Sequence, residues 1–243
     1  MIMNSMHFMC DHKSILVLSD LHSNLNALRE ALIYAEFNDC FVIMLGDILD
    51  SEMYFEQSKE VIDLVHKWTS SGKMWVVVGN HDYKYIRYAI GNDDVQLSEM
   101  QKKTIDFIGG REGKYLDMFR YSFLGRFPYM AVARNLRCSH AAIYEGYNGS
   151  LPHRKVTKFM FGEHDKEKVT ENGLPVRTYG WVDKLQSPDI INVVGHDIDG
   201  MGKDRQDILT IDCANDSTLT FLDCGSGKDI AGLMGGIELH LCD

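Results

Sequence analysis

The sequence predicts an α/β protein, a sandwich built from mixed sheets. Three observations carry this. Residues 15–78 alternate short apolar runs with amphipathic segments, the βαβαβ order of parallel strands joined by crossover helices. The second half is richer in strand signals. The composition, 45% hydrophobic and 25% charged over 243 residues, is that of a globular chain able to bury a core. Only four prolines occur, and no linker, repeat or low-complexity tract breaks the chain. One domain over residues 1–243 is therefore expected, with residues 1–13 as a peripheral extension.

The elements follow in order. Residues 15–18 form a short β-branched apolar run, hence a buried strand. Residues 24–35 place Leu25, Leu28 and Leu32 at helical spacing, with Asn24 as N-cap. Residues 41–45 give the next strand. Residues 58–68 read as a helix with a broad apolar face of Val61, Ile62, Leu64, Val65 and Trp68, stopped at Gly72. Residues 74–78 are a third strand. Helices are expected at 98–108 and 116–124, then strands at 129–132, 136–139, 190–194, 208–211, 219–222 and 237–241. Segment 144–188 shows little periodicity and reads as loop-rich, with a strand at 155–161; long irregular segments inside a compact domain are often functional.

Charge and cysteine usage narrow the function. The net charge of -10 argues against a generally basic surface for nucleic acid or anionic lipid. A phosphate substrate is still allowed, because bound metal ions supply local positive charge. None of the six cysteines forms a CxxC pair, which points to reduced thiols rather than a disulfide framework or a zinc finger. No apolar run nears the ~18 residues of a membrane helix, and the N-terminus lacks the basic-then-apolar pattern of a signal peptide. A cytoplasmic protein away from membranes is expected.

Each apolar strand runs directly into polar residues. Ser19-Asp20-Leu21-His22-Ser23-Asn24 follows the first, Gly46-Asp47-Ile48-Leu49-Asp50 the second and Gly79-Asn80-His81-Asp82 the third. His140 follows the strand at 136–139, and Gly195-His196-Asp197 the strand at 190–194. A single Gly-Asp is ordinarily a turn, and a single histidine beside a strand is ordinarily structural. Five such clusters at five strand ends are hard to ascribe to turns, because carboxyl ends of neighbouring strands in α/β folds converge on one crevice. Carboxylate, carboxamide and imidazole together suit manganese, iron or zinc.

In this order DxH, GDxxD, GNHD, a lone His and GH resemble the calcineurin-like metallophosphoesterases. Ile198 stands where many members have a second histidine (GHxH), which is similar to the phosphoprotein-phosphatase branch. The segments GNHDYKYIRYAIGNDDVQLSE, RKVTKFMFGE, ENGLPVRTYGW and FLDCGS are similar to the phosphatase domain of bacterial polynucleotide kinase-phosphatases and to bacterial diadenosine tetraphosphate hydrolases. The likeness covers about residues 14–240. It implies a four-layer α-β-β-α sandwich of two mixed sheets, with a dinuclear metal site at the carboxyl ends of the strands.

The resemblance also implies roles. Asp20 and His22 bind a first metal, Asp47 bridges, and Asn80, His140 and His196 bind a second; both are divalent, manganese foremost, with iron, nickel or zinc as alternatives. A hydroxide on the metals attacks phosphorus in line with the leaving oxygen. His81 is the candidate general acid, oriented by Asp50. Asp223 orients a ligand from behind, and Arg177 offers a phosphate contact. One departure stands out: relatives read GDxxDRG, whereas Ser51 and Glu52 follow Asp50, so the bidentate arginine is missing. Arg87 or Arg111 folding back is one way to fill that gap. Trp181 is either a stacking face for a base or core. The expected substrates are phosphorylated small molecules, nucleotides or nucleic-acid ends. Dinucleoside polyphosphates, phosphoproteins, or a metal-bound phosphate-binding module with little activity are the alternatives.

Overall fold

The structure, a computed structural model, describes residues 6–7, 14–118, 128–145, 153–171, 173, 175–204, 206–228 and 233–240. Strand β1 is Met6–His7, β2 Ser14–Leu18, β3 Cys40–Met44 and β4 Met74–Val76. Helix α1 is Leu25–Phe37, α2 Ser58–Ser70, α3 Asn80–Ala89, α4 Glu99–Phe107 and α5 Lys114–Met118. There follow β5 Met130–Ala133, β6 Leu136–Ser139, α6 His153–Phe161, β7 Glu163–Val169, β8 Pro175–Thr178, β9 Ile191–Val194, β10 Leu209–Asp212, β11 Thr218–Phe221 and β12 Gly236–His240.

Two mixed sheets carry the fold, in the orders β12-β2-β3-β4 and β1-β5-β6-β9-β11-β10. In the first, β2, β3 and β4 are parallel and β12 runs against β2. In the second, β6, β9 and β11 are parallel, β10 runs against β11, and β5 runs against β6 but parallel to β1. Strand β2 is buried on both faces, which is why its sequence is a continuous apolar run. The strand period of two divides it. Ile15, Val17, Phe41 and Ile43 join Val77, Ala131, Leu136, Cys138 and Val193 in the layer between the sheets. Leu16, Leu18, Val42 and Met44 face the other way, into the core shared with Leu28 and Leu32 of α1 and Val61 and Val65 of α2. Asn24 caps α1 as expected, its side chain accepting from the Ala27 amide at 3.2 Å. Among the described residues no helix is long and apolar enough to cross a membrane.

Two expectations are corrected and one helix is added. Residues 80–89, to which the sequence assigns no element, are helix α3. Asn, His, Asp and Tyr are weak helix formers, but Asp82 accepts from the Gly79 amide at 3.0 Å as a cap, and burial of Tyr85, Ile86 and Ala89 outweighs propensity. Residues 155–161 lie in helix α6, not a strand: Phe159 and Met160 are both fully buried, so the pattern is not alternating, and the Gly162 amide closes the helix on the Lys158 carbonyl. Segment 144–188 is thus more ordered than a loop, with α6 followed by the β7–β8 hairpin. The helix expected at 116–124 is seen as α5 through Met118; its remainder lies outside the described residues.

Candidate metal centre

The loops after β2 and β3 are tied together by their backbones. The Leu21 and His22 amides both donate to the Asp47 carbonyl at 3.1 and 2.9 Å, and the Ser23 amide donates to the Ile48 carbonyl at 2.8 Å. His22, Asp47, Asp50 and His196 all have positive φ, at 46°, 47°, 80° and 65°. For residues with a Cβ this conformation costs roughly 1–3 kcal/mol each and persists only where surrounding contacts enforce it.

The side chains converge in consequence. Asp20, Asp47, His140 and His196 each offer a ligand atom, all within 4.8 Å of one another. His140 donates from Nδ1 to the Leu45 carbonyl at 2.7 Å, which turns Nε2 toward the cluster. That Nε2 lies 2.9 Å from Asn80 Oδ1, 3.0 Å from His196 Nδ1 and 3.5 Å from Asp47 Oδ2. His22 has the same tautomer, its Nδ1 donating to the Leu49 and Asp50 carbonyls at 3.1 and 3.0 Å. Its Nε2 and the Oδ1 of Asp20 are buried with no hydrogen-bond partner among the described residues. Burial, with the Lys228 charge, lowers His22 to about 4, and burial with His140 pulls His196 well below the ordinary value. Imidazole nitrogens, carboxylates and a carboxamide oxygen gathered this closely fit a divalent cation.

Beside this cluster stands a second arrangement. His81 Nδ1 meets Asp50 Oδ2 at 2.6 Å, and Asp50 Oδ1 accepts from the Tyr85 hydroxyl. His81 also donates its backbone amide to Asp47 Oδ1 at 2.9 Å. Burial works to lower the His81 imidazole, but Asp47 and Asp50 outweigh it and push it up to about 9. Sequence reasoning missed Tyr85 and Asp82. Tyr85 was legible only through the helix, since four residues separate it from His81 on one face. Fully buried Asp82 accepts from the amides of Asp47, Ile48 and Gly79 at 2.8, 3.1 and 3.0 Å, fastening the loops after β3 and β4 to one carboxylate.

The remaining candidates surround the centre. Asp223 is fully buried; one oxygen accepts from the Gly225 amide at 2.9 Å and the other has no hydrogen-bond partner among the described residues. Burial and the Asp20 charge push it up to about 7. Arg177, on β8, lies 3.5 Å from Asp197, which also accepts from the Tyr179 hydroxyl. Arg177, Tyr179, His196 and Lys228 line a cavity of 460 Å³ next to the centre. Trp181 is 1% exposed and packs on Phe221, so it is core rather than a stacking face. Arg87 lies over the Tyr83 ring, and Arg111 pairs with Asp93; neither folds back toward Ser51. Cys138 and Cys224 are buried strand or strand-end residues with raised thiols, Cys138 through burial alone.

Comparison with known proteins points the same way. The family model described as calcineurin-like phosphoesterase matches residues 13–205. No curated protein matches the chain. A solved structure assigned as a diadenosine tetraphosphatase superposes with a TM-score of 0.58 at 14% identity, covering 98% of this chain and 94% of that one. A protein serine/threonine phosphatase from Saccharomyces cerevisiae gives 0.55 at 10% identity, covering 100% and 85%. A cold-active protein-tyrosine phosphatase of a psychrophile Shewanella gives 0.54 at 14%, covering 98% and 78%. At these identities the likeness is one of fold.

Proposed function

Because the chain belongs to the calcineurin-like phosphoesterase family, whose members are metal-dependent hydrolases, we propose that it hydrolyses phosphomonoesters, nucleotides and nucleic-acid ends among them. The reading rests on one observation above all: Asn80 Oδ1, His140 Nε2 and His196 Nδ1 meet around Asp47, a set of oxygen and nitrogen donors that suits divalent cations. Asp20 and His22 would hold one divalent ion, Asn80, His140 and His196 another, with Asp47 shared. Manganese is the ion we put first, then iron, nickel or zinc. When bound, the ions supply positive charge to the phosphoryl oxygens and acidify a water.

The chain's own residues do the rest. His81 carries a proton on the Nε2 side that faces Asp47, 3.8 Å away, and donates it to the leaving alkoxide. Asp50 fixes the ring through Nδ1, and Tyr85 fixes Asp50. Asp223 orients the Asp20 side of the centre, and Arg177 reaches the substrate from the cavity wall. The proposed setting is the cytoplasm, in keeping with free thiols at Cys40, Cys138, Cys213 and Cys224. A second reading, dinucleoside polyphosphates, is favoured by the 460 Å³ cavity, which has room for far more than one phosphate.

The deciding experiment is a substrate panel with manganese, nickel, iron, zinc and magnesium. It spans a p-nitrophenyl ester, nucleotides, phosphorylated RNA ends, diadenosine tetraphosphate and phosphopeptides. Metal-dependent phosphate release from monoesters, lost in Asp47→Asn together with bound metal, is the expected result. Preference for diadenosine tetraphosphate selects the second reading. Two bound ions with normal turnover in Asp47→Asn overturn the shared role of that carboxylate.

A further inference from the structure

Ser51 occupies the place where the resemblance calls for an arginine, yet it leaves no gap. It is 2% exposed, and its hydroxyl donates to the Gly227 carbonyl at 2.5 Å while accepting from the amides of Met53 and Tyr54, each at 3.1 Å. The residues around Gly227 are fastened at further points. The Ser226 hydroxyl donates to the Leu21 carbonyl at 3.0 Å, and the Gly225 amide donates to Asp223. Gly227 has φ +68°, and a Cβ there would lie 2.4 Å from the His22 carbonyl oxygen, so only glycine lets this turn rest on His22. The next residue, Lys228, lines the same cavity as Arg177 and His196.

Resting on the phosphoesterase reading, we propose that Lys228 is a second substrate-phosphate cation beside Arg177, carried on a 223–228 turn that Ser51 pins in place of the missing arginine. Its exposure leaves the ammonium accessible to ligand, and among the described residues it forms no ion pair. Of the other cations nearby, Lys203 donates to the Asp223 carbonyl at 2.7 Å, and Arg177, across the cavity, shares its charge with Asp197 at 3.5 Å. Lys228 shares the cavity wall with His196, and its positive charge also acts on His22 and His81. An ammonium is a compact point charge with three donors and no planar fork. It neutralises a non-bridging oxygen without demanding the bidentate geometry of an arginine, and so tolerates phosphoryl groups in more than one orientation.

The test uses the full chain loaded with manganese and inorganic phosphate as the probe, read by titration calorimetry, with KM and kcat on p-nitrophenyl phosphate beside it. Lys228→Ala is expected to weaken phosphate binding about tenfold or more, as loss of a charge-assisted contact implies. Lys228→Arg should restore most of it, and metal content and melting temperature should be unchanged. Ser51→Ala should weaken phosphate in the wild type yet add nothing to Lys228→Ala, since the pin acts through the lysine. Phosphate binding in Lys228→Ala equal to wild type overturns the proposal, and full additivity of the two variants overturns the role of the pin. If the wild type hydrolyses no ester while phosphate binding still depends on Lys228, the phosphatase reading fails and the assignment of Lys228 stands.

Discussion

His81 is placed to hold a proton and to let it go toward one side. Its Nδ1 is taken by Asp50, whose other oxygen is taken by Tyr85, so the ring has little freedom about its own axis. His81→Ala should therefore keep the metals and slow esters of poor leaving groups by roughly 10²–10⁴-fold, the usual span of general acid catalysis. A p-nitrophenyl ester, whose leaving group needs less protonation, should suffer much less. Equal losses on alkyl and p-nitrophenyl esters speak instead for a role in ground-state structure. Tyr85→Phe should show the same leaving-group dependence in weaker form, because it loosens Asp50 and not the proton donor itself. Ser51 makes a different point. An arginine introduced there might be thought to improve turnover by restoring a phosphate contact. With the hydroxyl buried in three hydrogen bonds, Ser51→Arg must instead break them and force the Gly227 turn away. The expected result is a loss of stability of about 1–3 kcal/mol from unsatisfied buried groups and weaker phosphate binding, read by denaturant titration and calorimetry.

At the scale of elements, helix α3 organises the centre. It starts directly after β4, presents Asn80 and His81 in its first turn, and sends Asp82 back to cap itself and to hold the loop after β3. One carboxylate thus sets the spacing between Asp47 and Asn80. Asp82→Ala leaves three buried amides without acceptors and should destabilise the fold by roughly 3 kcal/mol or more, with metal content falling in step. The close approach of Gly79 to Asp47 is the complementary constraint: a Cβ on Gly79 would lie 2.2 Å from Asp47 Oδ1. Gly79→Ala should lower metal content at unchanged helicity, measured by metal analysis alongside circular dichroism. Full metal occupancy in that variant argues that the loop after β3 shifts as a whole, since the Cβ would also lie 2.5 Å from the Asp47 backbone nitrogen.

At the scale of the whole molecule, the parallel strands were legible because β2 and β3 are buried on both faces and read as unbroken apolar runs. The polar clusters were legible because they interrupt those runs abruptly. Helices α3 and α6 were not, since aromatic and short polar residues mask a helical period that tertiary burial enforces. Tyr85, Asp82 and Lys228 were hidden for a related reason: each acts across contacts between elements distant in the chain, and no local spacing announces them. The same long-range construction makes a prediction about stability. The proposed ligands come from the ends of β2, β3, β6 and β9 and the start of α3, so cations at that junction bind the folded chain and have no comparable site in the unfolded one. By mass action a hundredfold excess of free ion over its dissociation constant adds about 2.7 kcal/mol. For a chain of this size that raises the melting temperature by roughly 5–11 °C. Thermal scans of chelated protein titrated with manganese should show this rise growing with the logarithm of free ion. Asp47→Asn, lacking the charge shared between the two positions, should flatten the curve. Lys228→Ala should leave it steep, because that side chain is assigned to the phosphate and not to the metals. A melting temperature indifferent to manganese in the wild type means that the acceptor atoms around His140 are held apart by protons or water rather than by cations.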